Sequence, residues 1–314
     1  MQQKPTISQV STTGFLQELF RSEINNLLPI SGGEWSQAWS FVQNGEKYIL
    51  RWSNTLENFE RDAIAATYSC MAMPIPKIVH MGQALDMCYA ISPFAPGVFF
   101  DNLPSSELER TLPALLGLFD GLRDVNLSGT SGFGGWDKSG TGSHTSWKAF
   151  LRDVRNDHES QLTHGWYNNL AHSTIGIEPF DRIYAALEKL VEKCPENREL
   201  IHSDLLNFNL LVADNKISAV IDWGCSLYGD SLYDIAWFIF YAPYYPQFAA
   251  VNLCERALDH YRRSDADQRN LKERLLGYQL HIGLGWISYH AFKQTWSTAR
   301  EAVAHTLKVL HSAE

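Results

Sequence analysis

The segment Ser92-Pro93-Phe94-Ala95-Pro96-Gly97 limits the fold of this chain more than any other. Two prolines remove two backbone donors, and the closing glycine permits a sharp change of direction, so neither a helix nor a central strand runs through it. The pattern differs on its two sides. Before it, Trp39-Ser40-Phe41-Val42 and Tyr48-Ile49-Leu50-Arg51-Trp52 read as strands around Asn44-Gly45, a dipeptide suited to a two-residue hairpin. Residues 77–81 and 87–91 are two further strand candidates. Helices are expected over 15–28, ending at Pro29, and over about 56–71, ended by Pro74-Ile75-Pro76. After it the pattern is mainly helical, over 106–123, 146–156, 178–193, 271–290 and 299–310. Residues 126–146 are rich in Gly, Ser and Thr and read mostly as loop, and a second hairpin is expected from 210–212 and 217–221 around Asp214-Asn215. The reading is α+β and two-lobed. A small antiparallel-sheet lobe spans 1–94, a mainly helical lobe spans 95–314, and 92–97 is the hinge. A length of 314 residues allows each lobe its own core.

Bulk properties narrow the function. Apolar residues make up 45% and charged residues 19%, an ordinary globular balance. A formal charge of −9 argues against nucleic acid as a partner and is compatible with a cationic small molecule. The five cysteines are dispersed with no C-x-x-C pair, which fits reduced thiols in cores rather than disulfides or a zinc site. Residues 1–10 lack the features of a signal peptide, and no apolar run reaches the roughly 18 residues of a membrane span. A soluble, cytoplasmic monomer without a membrane partner is expected.

The chemistry concentrates in His202-Ser203-Asp204-Leu205-Leu206-Asn207-Phe208-Asn209 and Ile221-Asp222-Trp223. Phosphoryl transfer needs oxygen ligands for Mg²⁺, a cationic clamp on the phosphates, and one residue that orients the acceptor hydroxyl. Antiparallel pairing of the second hairpin brings Asn209 and Asp222 to the same end of the ladder, with Asp204 just upstream. Single Asp residues commonly cap helices or turns. The joint pattern of His, Asp, Asn and a strand-ending Asp is far harder to obtain by chance, and it points to a kinase-type site.

This pattern resembles the aminoglycoside phosphotransferase family, which shares the protein-kinase fold. Leu50-Arg51, Met73-Pro74-Ile75-Pro76, Thr130-Ser131-Gly132-Phe133-Gly134, Ala219-Val220-Ile221 and Tyr228-Gly229-Asp230-Ser231-Leu232-Tyr233 extend the resemblance over nearly the whole chain. It implies an ATP- and Mg²⁺-dependent enzyme that phosphorylates a hydroxyl of a small molecule. The leading acceptor is an aminocyclitol antibiotic such as hygromycin B, which would confer antibiotic resistance. By the same resemblance Asp204 accepts the hydroxyl proton, Asn209 and Asp222 hold Mg²⁺, and His202 braces the loop. Ser31, Gly32 and Gly33 begin the loop over the phosphates, and Ser92 and Phe94 form the hinge that meets adenine. Pro93 has no N–H, so Phe94 is the expected donor to the base. Where the family pattern usually has Lys, this chain has Arg51, which keeps the charge and can grip phosphate with two donors. Glu60 is the chosen carboxylate partner of Arg51, with Glu57 and Asp62 as alternatives.

Rival readings are a metabolic kinase of the same superfamily, acting on choline, homoserine or a thio-sugar, and a non-catalytic nucleotide-binding module. Gly132-Phe133-Gly134-Gly135 lacks the third glycine of a dinucleotide fingerprint, and no Gly-Lys dipeptide of a P-loop occurs. The aromatic run over 228–248 reads as helix packing, with a few members free to line an acceptor pocket.

Overall fold

The structure, a computed structural model, describes residues 4–312, so Met1 to Gln3 of the N-terminal segment lie outside the described residues. The chain opens with helix α1 (Gln9–Phe20), then strands β1 (Asn25–Ile30), β2 (Gln37–Gln43) and β3 (Glu46–Ser53). Helix α2 (Glu57–Ala65) follows, then β4 (His80–Ala84) and β5 (Met87–Pro93). These strands form one antiparallel sheet in the order β1-β2-β3-β5-β4. Asn44 and Gly45 both take positive φ, 51° and 84°, as the β2–β3 hairpin requires.

Strand alternation assigns the two faces of this sheet. Trp39, Phe41, Leu50, Trp52 and Ile91 pack beneath α1, where Phe15 meets Trp52 at 4.9 Å and Tyr89 at 4.7 Å between ring centroids. Cys88 and Ala90 face the other way and cluster with Phe59 of α2. Arg51 lies between Leu50 and Trp52, so it emerges on the α2 face, where its guanidinium sits 4.9 Å from the Phe59 ring.

Two expectations fail here. The helix over 15–28 ends at Phe20, with Arg21 left-handed at φ 50°, and Asn25–Ile30 is a strand instead. Leu27 is the one buried residue of that strand and joins the sheet core. Asn26 takes φ 51° at a bulge, and Pro29 is accommodated because β1 pairs only with β2. The helix over 56–71 is also shorter, becoming a 3₁₀ turn at Ala66–Tyr68.

Beyond Pro93 come the short strand β6 (Val98–Phe99) and helix α3 (Ser105–Arg123), followed by β7 (Phe133–Trp136), β8 (Gly142–His144), α4 (Trp147–Asp153), α5 (Trp166–Ala171) and α6 (Glu178–Val191). Then follow β9 (Glu199–Ile201), β10 (Leu210–Ala213), β11 (Lys216–Val220), β12 (Leu227–Gly229) and α7 (Leu232–Tyr241). Helices α8 (Pro246–Ala250), α9 (Leu253–Arg263), α10 (Leu271–Lys293) and α11 (Trp296–His311) complete the chain. One large apolar core unites these helices. At its base lies a buried ion pair: Arg274 donates to both oxygens of Asp230 at 2.7 and 2.8 Å, and Tyr278 adds a third donor at 2.5 Å.

Residues 126–146, read as mostly loop, contribute β7 and β8 to a four-stranded sheet in the order β8-β7-β12-β9. Its other strands come from far along the chain, so no local pattern announces it. Glycine allows the close fit, since a Cβ on Gly142 would stand 2.4 Å from the Phe133 nitrogen. The segment 92–97 leaves the first sheet and runs directly into β6, which pairs with β10. Gly97, at φ 139°, lies so close to β10 that a Cβ would meet the Val212 oxygen at 2.6 Å. All five cysteines are free; Cys88 and Cys194 are buried as expected, whereas Cys70 and Cys225 are exposed. Among the described residues no helix is long and apolar enough to cross a membrane.

Candidate active site

The β10–β11 hairpin closes on Asp214 and Asn215, both left-handed, and its open end carries the chemistry. Ile221 N–H donates to the Asn209 carbonyl at 3.0 Å, which brings Asn209 and the start of 222–225 to one end of the ladder. Upstream, β9 delivers His202 into the core. Its backbone N–H and that of Ser203 donate to the two oxygens of Asp234 on α7, at 2.9 and 2.8 Å. The His202 ring is fully buried, lies 4.7 Å from Trp223, and pairs through Nε2 with the Ile221 carbonyl at 3.0 Å. Burial pushes its pKa down to about 4, so it is neutral near pH 7 and donates to that carbonyl. It joins the two halves of the site.

Asp204 stands at the centre. Asn207 Nδ2 donates to its Oδ1 at 2.6 Å, and Asn209 Nδ2 donates to its Oδ2 at 3.0 Å and to its backbone carbonyl at 2.7 Å. Burial raises the Asp204 carboxyl to about 8, Asp222 and Asp101 add to the rise, and the two amides oppose it. Because Asn209 uses its amide nitrogen on Asp204, its Oδ1 is left as a free oxygen ligand. Asp222 is left-handed at φ 62°, and the residue is partly open to solvent although protein crowds around it. Its pKa is also raised, first by burial and then by Asp62, with Arg51 opposing. Several carboxylates held close together with one compensating cation make a site that favours a further cation. An amide oxygen plus a carboxylate is a donor set Mg²⁺ accepts, with phosphate and water completing the shell.

The carboxylate partner of Arg51 is Asp62, not Glu60. Helix α2 buries Phe59, Asp62 and Ala65, a spacing of three that sets Asp62 against the sheet. Glu60 points away and pairs with exposed Lys138 at 3.3 Å. Asp62 also accepts the Trp223 N–H at 2.8 Å, while Arg61 donates to the Gly224 carbonyl at 2.5 Å. Helix α2 is thereby tied to the segment after Asp222, which places Arg51 within reach of both carboxylates.

Ser31, Gly32 and Gly33 form the β1–β2 connection, with φ of 109° and 64° at the two glycines. Lys4 Nζ holds the two glycine carbonyls at 2.7 and 2.8 Å. Glu34 of the same loop reaches the far side of the cleft, where it accepts from Tyr289 and pairs with Lys293 at 2.8 Å. At the hinge the expectation for Phe94 fails, because its N–H donates to the Lys47 carbonyl at 2.9 Å. Ser92 faces Ile49 in the same β3–β5 ladder. Alternation then turns the Pro93 carbonyl and the Ala95 N–H away from β3.

Of the aromatic run, Tyr228, Tyr233, Phe238, Phe240 and Phe248 are buried packing residues. Tyr241 and Tyr245 lie near Asp204: their phenol pKa values are pushed up, mainly by burial and in part by its charge. Asp62 was among the candidates for Arg51, and Asn207 stood inside the motif without a role, although its partner Asp204 is only three residues away. Asp101 and Asp234 carried no signal in the sequence, because their partners, 106 and 32 residues away, are brought to them only by folding.

The phosphotransferase enzyme family matches residues 26–268. The chain belongs to that family. It is 31% identical over 286 residues to the hygromycin-B 4-O-kinase of Escherichia coli, covering 90% of this chain and 79% of that relative. A thermostable mutant of the aminoglycoside phosphotransferase APH(4)-Ia, in ternary complex with AMP-PNP and hygromycin B, superposes with a TM-score of 0.85. The identity there is 28%, and the match covers 96% of this chain and 99% of the other. A fructosamine-3-kinase homologue from Haemophilus somnus, 16% identical with a TM-score of 0.63 over 96% of this chain and 97% of the other, shares the fold alone. The fold is therefore the bilobal kinase-like α+β arrangement expected from the sequence, and the protein is a phosphotransferase.

Proposed function

We propose that this enzyme transfers the γ-phosphoryl group of ATP to the 4-hydroxyl of hygromycin B or a closely related aminocyclitol. The observation that carries the reaction is the Asp204 carboxylate gripped by Asn207 and Asn209 at the hairpin end that also presents Asp222. The acceptor rests on similarity to a kinase of that antibiotic and suits a chain of net charge −9.

In this reading residues 1–94 form the nucleotide lobe, 95–314 the acceptor lobe, and the enzyme acts as a monomer. The Pro93 carbonyl and Ala95 N–H meet the adenine edge, replacing the donor role first expected of Phe94. Ser31, Gly32 and Gly33 cover the phosphates, and Arg51, steadied by Asp62, supplies two parallel donors to them. Asn209 and Asp222 hold Mg²⁺, which when bound neutralises charge on the β- and γ-phosphates. Asp204 accepts a hydrogen bond from the acceptor hydroxyl and orients its oxygen in line with phosphorus. As the P–O bond forms, the hydroxyl proton passes to Asp204. Neutral His202 takes no part in proton transfer and keeps the two loops together.

The test is ADP release from Mg-ATP with hygromycin B against a panel of aminoglycosides and small metabolic alcohols, with the phosphorylated oxygen located by NMR. Turnover with a metabolic alcohol and none with hygromycin B overturns the acceptor. Asp204→Ala is expected to keep nucleotide binding and lose transfer. Turnover near that of the unmodified enzyme in this variant overturns the role of Asp204.

A further inference from the structure

The loop that carries Asp204 contains two consecutive left-handed residues without glycine: Asn207 at φ 64° and Phe208 at φ 68°. Asn tolerates this region because its short amide can bond locally; Phe has no such compensation. Phe208 is also half exposed, with its ring edge-on to Phe99 at 5.4 Å, so core burial does not hold it there. Successive N–H groups in such a conformation converge into a concave donor site that attracts an anion.

The anion is Asp101. It is 6% exposed and lies in the short turn after β6. Its Oδ1 accepts the Asn207 N–H at 2.9 Å, and its Oδ2 accepts the Phe208 N–H at 3.1 Å. Tyr245 adds a third donor to Oδ1 at 3.1 Å, and Gln247 secures the Asp101 carbonyl at 2.9 Å. The two residues that grip the Asp204 carboxylate, Asn207 and Asn209, are the first member of this left-handed pair and the residue just after it. The shape of the pair therefore sets where both amides point.

We propose that Asp101 is a positioning residue for phosphoryl transfer, acting through the Asn207–Phe208 backbone to aim the Asp204 carboxylate at the acceptor hydroxyl. It lies on β6's side of the hinge, so it also fixes the catalytic loop relative to the chain entering from the nucleotide lobe. Losing it lets the backbone pair relax toward ordinary φ values. Asn207 then swings off Asp204, and the nucleotide contacts assigned to the other lobe are unaffected. The proposal rests on the role given to Asp204.

The experiment compares Asp101→Ala, Asp101→Asn and Asp204→Ala with hygromycin B and Mg-ATP, normalised to folded enzyme, with ADP affinity measured separately by a fluorescent analogue. A misplacement of about 1 Å costs about a hundredfold in rate, so kcat is expected to fall by about that factor in both Asp101 variants while ADP affinity stays within about twofold. Asp101→Asn keeps the side-chain shape but turns a donor on one backbone N–H, so it covers the case in which the alanine variant does not fold. Added formate, an anion of the removed group's chemistry, is expected to restore part of the lost kcat in Asp101→Ala and none in Asp204→Ala. Either Asp101 variant turning over within about threefold of the unmodified enzyme overturns the proposal, as does a loss of kcat matched by an equal loss of ADP affinity. If Asp204→Ala itself remains active, the reading of Asp204 fails first, and the two failures are told apart.

Discussion

Replacing Asp62 by Asn separates it from Glu60, the carboxylate first expected to serve Arg51. The change preserves shape and leaves Oδ1 able to accept the Trp223 N–H. It removes the charge and turns an amide nitrogen toward the guanidinium, donor against donor. Arg51 is then left with Asp222 alone, the residue assigned to the metal. Breaking one partner of a fully buried ion pair costs about 3–5 kcal/mol. The Arg51 side chain keeps 21% of its surface in water against 6% for Asp62, and a second carboxylate stands nearby. Those two effects bring the cost of keeping Arg51 in its phosphate-facing position to about 2 kcal/mol, and because ATP binding must restore that position, kcat/KM for ATP falls by about thirtyfold. The assay is steady-state turnover at saturating acceptor, with urea unfolding run in parallel to confirm a folded enzyme. Glu60→Gln is the control. Its partner Lys138 is 71% exposed, and such pairs contribute under about 1 kcal/mol, so kcat/KM should change by less than about threefold. A Glu60→Gln loss equal to that of Asp62→Asn, or an Asp62→Asn enzyme within about threefold of the unmodified one, refutes the assignment.

Two stability predictions lie away from the cleft. Asp230→Asn leaves the fully buried Arg274 guanidinium with only the more distant Asp267 carboxylate at 4.0 Å and should lower urea stability by about 3 kcal/mol; a loss under about 1 kcal/mol refutes it. His281, buried against Tyr233 at 2.9 Å, has its pKa pushed down to about 3 by burial. The unfolded chain therefore takes up this proton first, and stability falls as pH drops below about 6.5. The stability advantage of the unmodified protein over His281→Gln should shrink by about 2 kcal/mol between about pH 7.5 and about pH 5, and a constant difference refutes it.

Much of the architecture was legible because it is written locally. Asn44-Gly45 and Asp214-Asn215 supply the positive φ values their hairpins require, and the second hairpin alone brings Asn209 and Asp222 to one end. Asp204 could be singled out for a similar reason, since five residues of chain cannot carry it far from Asn209. Antiparallel register is a short-range property, so composition and spacing were enough for the reaction class. The misreadings share the opposite cause. Asn25–Ile30 has helix-like spacing, yet it becomes an edge strand because Leu27 has a sheet core to enter. The strands within 126–146 join a sheet because β12 arrives from about ninety residues away to pair with β7, with β9 on its far side.

The active site divides along the same line. Asp204, Asn209 and Asp222 follow from sequence because one hairpin joins them. Whether Glu57, Glu60 or Asp62 meets Arg51 depends on the rotation of α2 about its axis, which the Phe59–Cys88–Ala90 contact decides. Whether Phe94 can serve adenine depends on which way its amide points in the β3–β5 ladder. Asp101 reaches the catalytic loop across more than a hundred residues, in a turn with no motif of its own. Chain connectivity fixes neighbours a few bonds apart, whereas the direction of a side chain or an amide is settled only when distant surfaces pack against it.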